Sequence, residues 1–115
     1  MLVWEDDKNF IRMDRAAVGG SPIPFVWVEQ FADGKSASRQ QHPIPDEPAY
    51  LRLERKGDRI TFSAAEDAKG TKWVEIHDVK VALPKKLFVG VMAINTTNKE
   101  LGARLEGLEL TPTKK

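Results

Sequence analysis

Tyr50-Leu51-Arg52-Leu53-Glu54-Arg55-Lys56-Gly57-Asp58-Arg59-Ile60-Thr61-Phe62 alternates apolar and polar residues on both sides of a Gly-Asp pair. A period of two puts successive side chains on opposite faces of a strand. Leu51 and Leu53 therefore share one face, and Tyr50, Arg52 and Glu54 the other. Gly57-Asp58 is two-residue turn chemistry, and Arg59 to Ala64 returns as the hairpin partner with Ile60 and Phe62 inward.

The same period extends in both directions. Asn9 to Val18 reads as a strand with Ile11 and Met13 on one face and Phe10, Arg12 and Asp14 on the other. Ile23 to Phe31 is a second run, apolar on both faces around Trp27. Lys72 to Ile76 is a short strand around Trp73. Leu87 to Ile94 is almost wholly apolar, which predicts a central strand covered on both sides. Leu101 to Leu110 closes the chain. Asp6-Asp7-Lys8, Gly19-Gly20-Ser21-Pro22, Ala68-Lys69-Gly70 and Asn95 to Lys99 punctuate these runs. Ala32 to Pro48 holds Gly34, Pro43, Pro45 and Pro48, so no continuous element is expected there. No segment carries a helical stripe. Short strands at this spacing predict one all-β domain over residues 1–115, an antiparallel β-sandwich. Its predicted core includes Leu51, Leu53, Ile60, Phe62, Val89 and Val91.

Phe10-Ile11-Arg12-Met13-Asp14-Arg15 matches Tyr50-Leu51-Arg52-Leu53-Glu54-Arg55 class by class. The echo predicts that Arg12, Asp14, Arg52 and Glu54 share one face of neighbouring strands, paired across them.

Composition removes several chemistries. The chain has no cysteine, so disulfides, thiolate metal sites and cysteine nucleophiles are out. The compartment stays open, because such a domain folds equally well inside or outside the cytoplasm. Lys and Arg number 18 against 17 Asp and Glu, interleaved, for a net charge of +1. Nucleic-acid binding normally needs a basic stripe, and none is present. No apolar run reaches about 18 residues, so no membrane-spanning helix is expected, and no signal peptide is visible.

Asp6, Asp7 and Asn9 carry oxygens that suit either Ca²⁺ or a tight hairpin, and between two strand patterns the turn is the expected role. His42 and His77 are the only histidines and lie far apart, so no metal site is predicted. Asn95-Thr96-Thr97 has the form of a glycosylation sequon. No Ser-His-Asp set, phosphate loop or dinucleotide fingerprint occurs. Trp4 and Trp27 are expected in the core, and Trp73, just after a turn, either there or exposed. The most ligand-like residues are Phe10, Arg12, Asp14, Tyr50, Arg52, Glu54 and Trp73, aromatic faces beside hydrogen-bonding charges. A salt-bridged outer sheet face is the plainer reading of the same pattern.

Five segments together resemble concanavalin A-like (laminin G-like) jelly-roll domains, bacterial domains related to the C-terminal module of β-xylosidases. They are Leu2-Val3-Trp4 through Arg15, Tyr50 through Asp58, Lys69-Gly70-Thr71-Lys72-Trp73, Leu87 through Ala93, and Arg104 through Leu110. Lys69 departs from the usual acidic residue, and Leu105-Glu106-Gly107 from the usual aromatic-acid-acid. The resemblance implies a jelly roll with further strands before the first motif, a module of a larger protein, and carbohydrate as ligand class. It implies no cofactor. A secreted parent would place the module outside the cytoplasm. Retaining glycosidases of this fold use paired carboxylates on one strand. Here Val74-Glu75-Ile76-His77-Asp78 puts Glu75 and His77 on one face and Asp78 on the other. The second acid is missing, so no enzymatic activity is expected. The expectation is a non-catalytic recognition or accessory module. A structural or self-association module is the alternative, and a glycoside-acting domain a further one. An open sheet edge, with Met1, Val3 and Val26-Trp27-Val28 uncharged, predicts a homodimer.

Overall fold

A computed structural model describes residues 1–16, 24–44, 50–67, 69–92 and 107–111. Eight strands follow in order: β1 (Leu2–Asp6), β2 (Asn9–Ala16), β3 (Phe25–Ala32), β4 (Lys35–Pro43), β5 (Tyr50–Lys56), β6 (Arg59–Ala65), β7 (Trp73–Lys80) and β8 (Phe88–Gly90). All pairings are antiparallel. One sheet has the order β4-β3-β2-β1-β8 and the other β5-β6-β7. The chain therefore runs as one four-strand meander, then a three-strand meander, then returns to lie beside β1. Two antiparallel sheets packed together make the β-sandwich that the alternation predicts.

The core lies between them because each strand has one apolar face. Val3, Ile11, Met13, Val26 and Val28 meet Ile60, Phe62, Ala64 and Val79, all buried, with Leu51, Leu53, Ile76 and Leu87 half-buried around them. Ile60 and Phe62 take the core positions expected of them.

Two hairpins follow from turn chemistry. In β5–β6, Gly57 has φ 62° and Lys56 pairs with Arg59. Glycine at the first turn position with positive φ is the II′ arrangement, whose twist matches that of the strands. In β3–β4, Asp33 (φ 53°) and Gly34 (φ 80°) both adopt the left-handed conformation between Ala32 and Lys35, the I′ form.

That second hairpin corrects the expectation that nothing continuous follows Ala32. β4 is nine residues long. Its sequence, Lys-Ser-Ala-Ser-Arg-Gln-Gln-His-Pro, lacks apolar alternation because it is an edge strand, and its proline stands at the strand end where a missing N–H is tolerated.

Among the described residues Leu87 to Met92 is likewise not a central strand. Within it only Phe88–Gly90 is paired, at the edge of the five-stranded sheet as far as the described residues extend. Val89 and Val91 are 43% and 40% exposed rather than core. Apolar content alone does not set a strand's place in the sheet. Val26-Trp27-Val28, read as part of an open edge, sits inside the sheet between β2 and β4.

β7 extends to Lys80, past the Ile76 expected. A bulge on it, between the pairs Phe62↔His77 and Ser63↔Glu75, inserts Ile76. The extra residue inverts the parity. His77 turns inward to Ser38 Oγ (3.1 Å), and Glu75 and Asp78 share the outer face, the reverse of the unbroken alternation. The linker at Gly19–Pro22, the sequon and Leu101 to Glu106 of the expected closing strand lie outside the described residues. Gly107 to Leu110 are exposed and not in a strand.

Candidate functional site

The pairing register fixes which side chains share the outer face of the five-stranded sheet, since residues directly opposite point the same way. One row across the strands is Phe88, Trp4, Phe10 and Phe31, on β8, β1, β2 and β3. The next is Leu2, Arg12, Glu29 and Arg39. The third is Asp14, Trp27 and Gln41, and the fourth Ala16, Phe25 and Pro43. Successive rows are two residues apart along each strand, roughly 7 Å.

The aromatic row is a ladder. Trp4 and Phe10 stack with ring centroids 5.4 Å apart, and Phe10 and Phe31 at 4.7 Å. These separations are close to the strand spacing, so the rings stand upright on the sheet and turn their edges to solvent. Each offset stack contributes about 0.5–1.5 kcal/mol beyond its buried area. Phe25 meets Trp27 edge to face at 6.5 Å.

The polar rows are organised by Glu29, which is buried to 8% exposure although it lies on an outer face. Its carboxylate accepts hydrogen bonds from Ser36 Oγ (2.9 Å) and from the Trp27 indole N–H (3.3 Å), and pairs with Arg12 Nη2 at 3.4 Å. The Arg12 guanidinium also lies 3.4 Å from Asp14 Oδ2 and 5.9 Å from the Phe31 ring centre. Burial raises the Asp14 carboxyl above the ordinary range, opposed by Arg12 and reinforced by Glu29. Among the charged side chains of these rows, Arg12 and Arg39 balance Asp14 and Glu29.

The hairpin loops at one end of this face are tied together. Asp6 Oδ1 accepts the backbone N–H groups of Lys8 (2.8 Å) and Asn9 (2.9 Å) and the Asn9 amide (2.9 Å). These bonds, that of Lys8 first, hold the Asp6 carboxyl below its usual range. Asn9 Oδ1 in turn accepts the Asp33 N–H at 3.1 Å, and the Gly34 N–H donates to Lys8 O at 2.9 Å. The Asp-Asp-Lys-Asn stretch thus does the work of a turn.

The echoed hexapeptides do not share a sheet. Phe10, Arg12 and Asp14 are on β2, whereas Tyr50, Arg52 and Glu54 are on β5 of the opposite sheet. Both strands face the core with their aliphatic residues, which sends their charges to opposite outer surfaces. Arg12 and Arg52 pair along their own strands, Arg12 to Asp14 and Arg52 Nε to Glu54 at 3.0 Å, and Arg12 also pairs across to Glu29 on β3 rather than to the echoed segment.

The seven candidate residues therefore form two groups. On the outer face of the three-stranded sheet the Arg52 guanidinium lies 4.1 Å from the Trp73 ring centre. A cation–π contact of this kind occupies the ring face. Gly70, at φ 68°, lies against the Tyr50 ring, so close that an added Cβ would sit 3.1 Å from it. Trp4, Phe25, Trp27, Glu29, Phe31, Arg39 and Gln41 are the members of the first face that the sequence reading missed. Trp4 and Trp27, expected in the core, stand on this surface half-buried. Strand parity was the available signal: in Phe25 to Phe31 the odd positions hold every aromatic residue and the single acid.

Glu75 and Asp78 share the outer face of β7, where Asp78 is paired with Arg59. His42 Nε2 meets Glu66 Oε1 at 2.7 Å, and with the His77–Ser38 contact it joins β4 to the opposite sheet. Among the described residues no group of three His, Asp or Glu is placed to hold a metal ion. Comparison with family models, curated proteins and solved structures finds no match to this chain.

Proposed function

We propose that this chain is a non-catalytic recognition module that binds a neutral carbohydrate on the outer face of its five-stranded sheet. The observation that carries the reading is the pairing of a stacked aromatic row with a charge-balanced polar row about 7 Å away. A saccharide presents apolar C–H patches and hydroxyl groups at comparable intervals. The ring edges of Trp4, Phe10 and Phe31 meet the first, and Arg12, Asp14, Arg39 and Gln41 exchange hydrogen bonds with the second. Equal numbers of cations and anions disfavour a polyanion, which needs net positive charge. Glu29 holds Arg12 and Trp27 in place beforehand, which lowers the ordering cost of binding. The resemblance of five sequence segments to concanavalin A-like jelly rolls supports the same ligand class by analogy. A glycan array probed with the wild type, Trp4→Ala and Arg52→Ala tests the reading. The wild type and Arg52→Ala should bind the same neutral glycans and Trp4→Ala should not. Binding lost in Arg52→Ala but kept in Trp4→Ala would move the site to the other sheet, and a blank array with folded wild type would reject it.

Self-association is favoured by a different observation. Phe88, Val89, Val91 and Met92 are 76%, 43%, 40% and 49% exposed and adjoin the β8 edge. An uncharged edge pairs readily with a second copy about a two-fold axis. Light scattering after size exclusion at micromolar concentration decides it. A dimer supports this use of the edge, and a clean 12.9 kDa species excludes it.

A further inference from the structure

Among the described residues the two sides of the sandwich differ. On one side β4 and the β6–β7 region are bridged by Ser38–His77 and His42–Glu66. On the other the sheets part, leaving a cleft of about 210 Å³ lined by Val3, Leu53, Arg55, Ile60, Lys85, Leu87 and Val89. Val3 and Ile60 are 2% and 0% exposed, so they form the closed floor of the cleft, and its reachable apolar walls are Leu53, Leu87 and Val89. Its apolar walls come from both sheets. Among the described residues its charged lining side chains are Arg55 and Lys85.

The two cations differ in what they are free to do. Arg55 donates to the carbonyl oxygens of Gly57 (2.9 Å), Pro84 (2.9 Å) and Leu83 (3.2 Å). With the Val81 N–H bond to Asp58 O at 2.7 Å, it pins the β7–β8 connection to the β5–β6 turn and fixes one wall of the cleft. Lys85, on that pinned connection, is exposed and lines the cleft.

We propose that this cleft binds a linear aliphatic carboxylate, its chain against Leu53, Leu87 and Val89 and its head group at Lys85. Charge complementarity selects the occupant. A second copy of this chain would bring Lys85 against another cationic rim if it docked through the same cleft, and a neutral hydrocarbon would leave the ammonium unused. The site shares no residue with the glycan face, so the two assignments stand or fall separately.

Sodium decanoate at submillimolar concentration, titrated into methyl-labelled protein, tests the proposal. The expected result is saturable shifts of the Val3, Leu53, Leu87 and Val89 methyls with the Trp4 indole signal unmoved. Octanoate should bind more weakly, by roughly fourfold for each methylene no longer buried. Decanol binding to the wild type, and decanoate binding to the Lys85→Glu variant, should each be at least ~2- to 5-fold weaker than decanoate binding to the wild type, the value of one exposed ion pair. Leu87→Trp fills the cleft and should abolish the shifts, and Lys85→Glu, a surface change, keeps the test open should that variant not fold. Absent shifts, equal binding of decanol, or shifts that depend on protein rather than decanoate concentration would each overturn it.

Discussion

Glu29 is a carboxylate that the strand register places on an outer face and its neighbours bury. Replacing it by alanine removes the acceptor of the Ser36 hydroxyl at 2.9 Å, the Trp27 indole at 3.3 Å and the ion-pair partner of Arg12 at 3.4 Å. The first is a short charge-assisted bond, worth about 1.5–3 kcal/mol. The other two are long and contribute less, but they leave an indole N–H and a guanidinium half-buried without that acceptor. Glu29→Ala should therefore cost about 2–4 kcal/mol. Glu29→Gln keeps one oxygen for Ser36 or Trp27 and loses the charge opposite Arg12, so it should cost about half as much. Glu75→Ala, an exposed acid on β7, is the control and should stay within about 0.5 kcal/mol. Urea melts followed by Trp fluorescence measure all three. A loss below 0.5 kcal/mol in Glu29→Ala, or equal losses in Glu29→Ala and Glu75→Ala, would refute the idea that Glu29 organises this face.

Phe62→Ala, at a fully buried centre between the sheets, should cost about 3–5 kcal/mol in the same melts; a loss under 1 kcal/mol would mean that β6 faces the other way. Gly34→Ala should cost about 1 kcal/mol through its φ of 80° alone, because the new methyl meets nothing closer than Lys8 Cγ at 3.8 Å, and a gain in stability would contradict the I′ turn. Burial raises the Asp14 carboxyl, so its protonation favours the fold at low pH and that benefit fades as pH rises through the raised value. Asp14→Asn should accordingly be neutral or stabilising at pH 7 relative to pH 3; a clear destabilisation confined to pH 7 would show that the Arg12 pairing outweighs burial.

The alternation around Gly57-Asp58 was enough to predict the hairpin, its inward face and the class of fold. Turn chemistry at Asp33-Gly34 was equally visible but was outweighed by the prolines that follow it. A polar edge strand gives no periodic signal, because only one of its neighbours constrains it. The candidate residues were right in parity and wrong in partnership. Period two reveals which residues of a strand face outward, and says nothing about which sheet the strand joins. The match between the β2 and β5 hexapeptides reflects a shared need for two aliphatic residues inward, met separately in each sheet. The bulge at Ile76 was invisible, since one inserted residue leaves composition unchanged while exchanging His77 and Asp78 between faces. Glu29 was hidden for another reason: its burial comes from Trp27, Ser36 and Arg12, supplied by three different strands.

The claim at the centre of this account is that the outer face of the five-stranded sheet is the recognition surface. The most direct test is a titration of ¹⁵N-labelled protein with a neutral oligosaccharide selected from the array, following backbone amides and the three indole N–H signals together. The account predicts saturable shifts at Trp4, Phe10, Arg12, Trp27 and Arg39, with the Trp73 indole and the β5 amides unmoved. Shifts centred on Tyr50, Arg52 and Trp73, with the Trp4 and Trp27 indoles silent, would contradict it.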